Sequence, residues 1–101
     1  MCKSEIFAET LKIVSKEAEI SVEKILSACK DAETVDARHL LVRLLVDRGI
    51  YPAQIAVFIH KTERTVNYMI TNFQLRAESR KMLKINWDNI RKLMVNDRLT
   101  E

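Results

Sequence analysis

Glycine and proline occur once each in this chain, as Gly49 and Pro52. Strands and their turns are usually punctuated by these two residues, so their scarcity argues against a β-rich fold. Beside abundant Leu, Ile, Ala, Glu, Lys and Arg it predicts helices joined by short connections, an all-α domain of about six helices. Long apolar runs are missing too: nothing approaches the roughly 18 residues of a membrane-spanning helix, and the beginning MCKSEIFAE lacks the apolar core of a signal peptide. The expected location is the cytoplasm, with no membrane partner. Cysteine is limited to Cys2 and Cys29, which a reducing compartment keeps as free thiols. One glycine cannot build a phosphate-cradling loop, and there is no Ser, His and Asp arrangement or pair of carboxylates on an apolar face. Catalysis is therefore not expected. His39 and His60 have no cysteine or acidic partner at a ligand-like spacing, so no metal and no cofactor is expected either.

What is present suits one globular domain spanning residues 1–101. Hydrophobic residues make up 48% and charged residues 31%, too apolar and too mixed in sign for a disordered chain. The net charge of +3 is unevenly spread: −3 over residues 1–36, +2 over 37–60, +4 over 61–84 and 0 over the remainder. A basic middle suggests a face that meets a polyanion.

Apolar periodicity and capping residues place the helices. Ser4 as N-cap and Ile6, Phe7, Leu11, Val14 and Ala18 predict a helix over about 5–18. Ser21 caps a short helix over about 22–29, and the polar stretch 30–36 reads as a loop. Asp31 or Thr34 then caps a third helix, the most buried, with Ala37, Leu40, Leu41, Leu44 and Leu45 inward and Gly49 at its end. Pro52 opens a fourth helix over about 52–59 and Thr62 a fifth that runs to about residue 80. Asn86 is expected to cap an added C-terminal helix over about 86–97, with Trp87, Ile90, Leu93 and Met94 on one face. That face either completes the core or serves self-association.

Residues 52–72 match a helix-turn-helix, the unit that sets side chains into a DNA major groove. Ile55, Ile59, Val66 and Met69 are apolar where the two helices must meet, Ala56 is small where they cross, and the segment HKTE makes the turn. The outward face of the second helix offers Glu63, Arg64, Asn67, Tyr68 and Thr71, with Thr62 and Thr65 near its start. Arg64 and Asn67 are the expected base readers, through bidentate contacts to guanine and adenine. Lys61, Thr65 and Tyr68 suit phosphates, and backbone N–H groups at the helix start suit one more. Glu63 either accepts from cytosine N4 or pairs with a neighbouring lysine and reads nothing. Arg76, Arg80, Lys81 and Lys84 form either a phosphate-contacting stripe or a solvated cluster.

The segment IAVFIHKTERTVNYMI (55–70) resembles the helix-turn-helix of LuxR-type response regulators, without a gap. A longer resemblance, from about Leu11 to Glu78, is to the TrpR-like C-terminal DNA-binding domain of the bacterial replication initiator DnaA. It is carried by ISVEKIL (20–26), DARHLLVRLLV (36–46) and KTERTV (61–66). The resemblance implies that Arg38 lies near the DNA backbone or minor groove and that Lys61, Glu63, Arg64 and Thr65 occupy the base-reading box, with Val66 as its packing residue. The initiator's box reads Arg-Asp-His-Thr-Thr-Val, whereas Thr62, Glu63 and Arg64 precede Thr-Val here. Its basic loop is replaced by ACKDAETVD (28–36), in which Asp31, Glu33 and Asp36 outnumber Lys30 and weaken minor-groove insertion. No nucleotide-hydrolysing domain is expected beside the segment. The expectation is a free-standing relative of the DNA-binding part, acting on double-stranded DNA in replication or transcription control or on a mobile element. The alternative is a protein-interaction module that has lost DNA binding. Two half-sites would multiply the affinity of a single helix-turn-helix, which makes a homodimer, or a protein partner held through the Trp87 helix, a natural companion to either reading.

Overall fold

Each of the two rare residues ends or begins a helix. Gly49 adopts φ +90° and closes α3 (Ala32–Asp47) in a Schellman turn: Gly49 N–H donates to Val46 and Ile50 N–H to Leu45. Pro52 opens α4 (Pro52–Ile59) at the position where a missing N–H costs nothing. The structure, a computed structural model, describes residues 2–100, with side chains as far as residue 93. Six helices and no strand are found among them. The other four are α1 (Lys3–Ala18), α2 (Val22–Ile25), α5 (Glu63–Ser79) and α6 (Lys81–Thr100). No helix among the described residues is long and apolar enough to cross a membrane. Cys2 and Cys29 are both free.

The third helix is the axis of the fold. Leu40, Leu41, Val42, Leu44 and Leu45 are all within 1% of complete burial, so the second half of α3 is packed on nearly every side. It contacts α1, α2, α4, α5 and α6. One contiguous core joins it to Leu11 and Val14 of α1, Ile25 of α2, Ile55 and Ile59 of α4, Val66, Met69 and Phe73 of α5, and Leu83 and Ile90 of α6. Phe7 stacks on Phe58 at 4.8 Å, tying α1 to α4.

Four helix ends differ from those expected. The first helix starts at Lys3 with Cys2 rather than Ser4 as N-cap, and no side chain caps it. It ends where Glu19 turns into the left-handed region at φ 57°. The second stops at Ile25, four residues short of expectation, because the carbonyls of Ile25, Ser27 and Cys29 are taken by the Arg38 guanidinium instead of by further helix. The third begins at Ala32, inside the stretch read as a loop, because Asp31, one of its two expected caps, accepts from Thr34 N–H and from the hydroxyl of Thr34; Asp36 is already one turn into the helix. The Cys29 thiol and Thr34 together hold the Asp31 carboxyl down to about 2. The last begins at Lys81, not after Asn86, because Arg80 alone breaks the chain with an extended backbone (φ −121°, ψ 97°).

On the last helix, Ile90 is fully buried and Trp87 half-buried, with its ring edge-on to Phe73 at 4.9 Å, so this face completes the core. Leu93, expected inward, is 52% exposed. Met94 lies outside the described side chains.

Candidate nucleic-acid interface

Fusing α4 to α5 takes only three residues. His60 sits at φ 58°, a conformation that costs a non-glycine residue roughly 1 kcal/mol and lets Lys61 N–H reach back to Ala56. Thr62 then caps α5 by accepting from Thr65 N–H at 3.1 Å. Ile55, Ala56 and Ile59 on one side and Val66 and Met69 on the other are buried between the two helices, as the apolar spacing required. Helix α4, a turn over 60–62 and α5 thus follow one another and pack together, the order expected of a helix-turn-helix.

Burial of Val66, Met69, Phe73 and Ala77 leaves the opposite side of α5 free. Arg64, Asn67, Tyr68 and Thr71 stand at positions i, i+3, i+4 and i+7, so they share that face. All four are exposed, Tyr68 at 64%. Among the described residues no side-chain hydrogen bond or ion pair holds Arg64 or Asn67, so their polar heads are unspent. Thr62 and Glu63 are also exposed, and Glu63 makes no ion pair among the described residues. Lys61 and Thr65 are half-buried at the edge. The Thr65 and Thr62 hydroxyls lie 2.9 Å apart and bond each other, which commits both to capping. Sequence reasoning missed Leu75, 68% exposed at the next step of the same row; its spacing of four from Thr71 was the available signal.

Arg38 does not belong to this face. It is 5% exposed, and its Nε donates to Ile25 at 2.8 Å while one terminal nitrogen donates to Ser27 at 2.8 Å and Cys29 at 3.0 Å. The resemblance put this guanidinium beside DNA; the early end of α2 leaves carbonyls that it satisfies instead. The expected basic stripe is divided in the same way. Asp36 in α3, only 7% exposed, accepts from Arg76 Nε at 2.6 Å and from Arg80 Nε at 2.8 Å. Those two arginines clamp α3 to the α5–α6 junction, and Lys81 and Lys84 remain exposed.

A shallow groove of about 390 Å³ runs along the α3 flank of the row, lined by Val35, His39, Tyr68, Asn72, Leu75, Arg76 and Ser79. His39 Nδ1 lies 2.9 Å from the Val35 carbonyl, which assigns the neutral ring as an Nδ1–H donor. Burial, helped by the Arg76 charge, pushes the imidazole below its ordinary value of 6.5, against the pull of Val35 and Asp36. Stability tied to this ring is therefore intact above pH 6.5 and declines as pH falls below it, because the unfolded chain takes up a proton that the folded one resists. His39→Gln is expected to flatten that decline, measured as the urea midpoint at successive pH values from about 7.5 down to 5. An unchanged pH profile in the variant would remove His39 from the acid response.

No protein-family model and no curated protein matches this chain.

Proposed function

We propose that the chain is a non-catalytic protein of the bacterial cytoplasm that binds double-stranded DNA, a counterpart of the DnaA C-terminal domain acting in replication or transcription control or on a mobile element. One observation carries the reading: Arg64, Asn67, Tyr68 and Thr71 form a continuous exposed row, on a helix whose opposite side is fixed in the core and whose start is set by a three-residue turn. Arg and Asn are the side chains that make bidentate contacts with guanine and adenine edges. Tyr68 and Lys61, with the first N–H groups of α5, supply contacts to the phosphates on either side. Glu63 is suited to accept from a cytosine amino group at the edge of the same row. With Thr62 and Thr65 spent on the cap, and Arg38 inside the protein, the readout concentrates on Arg64 and Asn67.

Selection of bound duplexes from a random-sequence library, repeated across salt concentrations, tests the proposal. A recovered motif with affinity that falls steeply as salt rises is the expected result. No retention even at low salt would end the DNA-binding reading. Tyr68 and Leu75, large and exposed on the same row, favour in that case a protein-binding face on α5.

A further inference from the structure

The last helix has an edge that neither the core nor the base-reading row explains. Phe73 and Trp87 each stand seven positions from Arg80, on opposite sides of it, and their rings meet at 4.9 Å. That contact requires α6 to fold back along α5 from the single-residue break at Arg80. Lys84, Trp87 and Arg91 follow one another at steps of three and four, so Trp87 places Lys84 and Arg91 on the edge of α6 that borders α5. Arg91 lies over the Trp87 ring with its guanidinium carbon 4.9 Å from the centroid. Lys84 and Arg91 are exposed, and neither forms an ion pair among the described residues, although Glu78 and Asp88 lie on the same two helices.

We infer that this edge is a second DNA-backbone contact, in which Lys84 and Arg91 hold phosphates flanking the groove that α5 enters. The inference rests on the DNA-binding reading of α5 and extends it to a helix outside the helix-turn-helix. Three features support it together. The two cations are about 10 Å apart along the helix axis, far enough to hold different phosphates. The indole under Arg91 restrains a long side chain before DNA arrives, which reduces the ordering cost of the contact. The neighbouring cations Arg76 and Arg80 share Asp36, so the cations on this part of the molecule without an ion pair among the described residues lie on α6, Lys81 at its start and Lys84 and Arg91 further along. Contacts of this kind position a protein without reading sequence, because every phosphate is alike.

The experiment is titration of a duplex carrying the library-selected site, and of an unrelated duplex, by the full chain and by Lys84→Gln/Arg91→Gln over a range of salt. Each phosphate contact contributes ~0.9 to the slope of log affinity against log salt, so the double variant should lose nearly 2 from the slope. Affinity for both duplexes should drop together by about tenfold at moderate salt, with the selected motif unchanged. Lys12→Gln/Lys16→Gln removes the same charge from exposed positions of α1 and is the control. A wild-type protein that binds its motif while the α6 variant keeps the full slope overturns the inference and leaves the function standing. A control that loses as much slope as the α6 variant also overturns it, since net charge alone would then account for the effect. Absence of wild-type binding at low salt overturns both. If loss of the Trp87 contact unfolds the double variant, Lys84→Gln alone carries the test, with a slope loss of ~0.9.

Discussion

Arg38→Ala should lower the stability of this protein by about 3 kcal/mol, the largest effect expected of any single polar side chain here. The guanidinium is 5% exposed and donates to three backbone carbonyls, of Ile25, Ser27 and Cys29. Hydrogen bonds to a charged group contribute roughly 1.5–3 kcal/mol each, and an acceptor left buried and unpaired adds its own desolvation cost. Set against that, Ala28 and Lys30 beside these carbonyls are exposed, so water can re-enter part of the site and the sum falls well short of three full bonds. In a domain of 101 residues, about 3 kcal/mol corresponds to a fall in Tm of roughly 12–20 °C, readable by circular dichroism. Arg38→Lys should recover less than half of it, since one ammonium cannot span three carbonyls set around a planar fork. A loss below about 1 kcal/mol for the alanine variant would show that water replaces the guanidinium freely. The same lysine variant separates structure from recognition: a scaffold residue leaves DNA affinity of the folded fraction unchanged, whereas a DNA-contacting residue does not.

Arg38 also shows why part of the fold was hidden in the sequence. Helix ends that depend on adjacent residues were legible: Gly49 after α3, Pro52 before α4 and Thr62 before α5 act through their own backbone or side chain within a few positions. The core face of α3 and the packing of α4 on α5 were legible too, since apolar spacing alone decides which side of a helix turns inward. The end of α2 and the start of α6 were not, because the residues there bond partners distant in the chain. The carbonyls after α2 are held by Arg38, 9 to 13 residues on, and Asp36 bonds Arg76 and Arg80, 40 and 44 residues away. A cluster of basic residues reads the same on paper whether it faces solvent or an interior carboxylate. For the candidate interface the result is asymmetric: the exposed row on α5 follows from helical spacing, while the fate of Arg38, Arg76 and Arg80 follows only from tertiary contacts.

That asymmetry bears on how firmly α5 is mounted. Its buried side is gripped by α4 through Val66 and Met69, by α3 through Asp36 and by α6 through Phe73 and Trp87. A helix held on three flanks gives up little conformational freedom on binding, so in the proposed DNA complex its contacts serve discrimination and not ordering.

Arg64→Ala/Asn67→Ala should therefore abolish sequence preference while leaving the fold intact. Two bidentate base contacts at about 1–3 kcal/mol each predict a loss of roughly a hundredfold or more at the selected site. Binding to unrelated duplexes should weaken far less, because only the charge of Arg64 is lost from the general attraction to phosphates. Stability should hold within about 0.5 kcal/mol, since both side chains are exposed and alanine is the better helix former at each position. The decisive comparison is the ratio of selected to unrelated duplex affinity in the wild type and in the variant, measured at one salt concentration with the melting curves of both proteins. A ratio near one in a folded variant assigns the readout to these two residues. A ratio equal to that of the wild type would move the readout elsewhere on the row, to Glu63, Tyr68, Thr71 or Leu75, which remain exposed beside them.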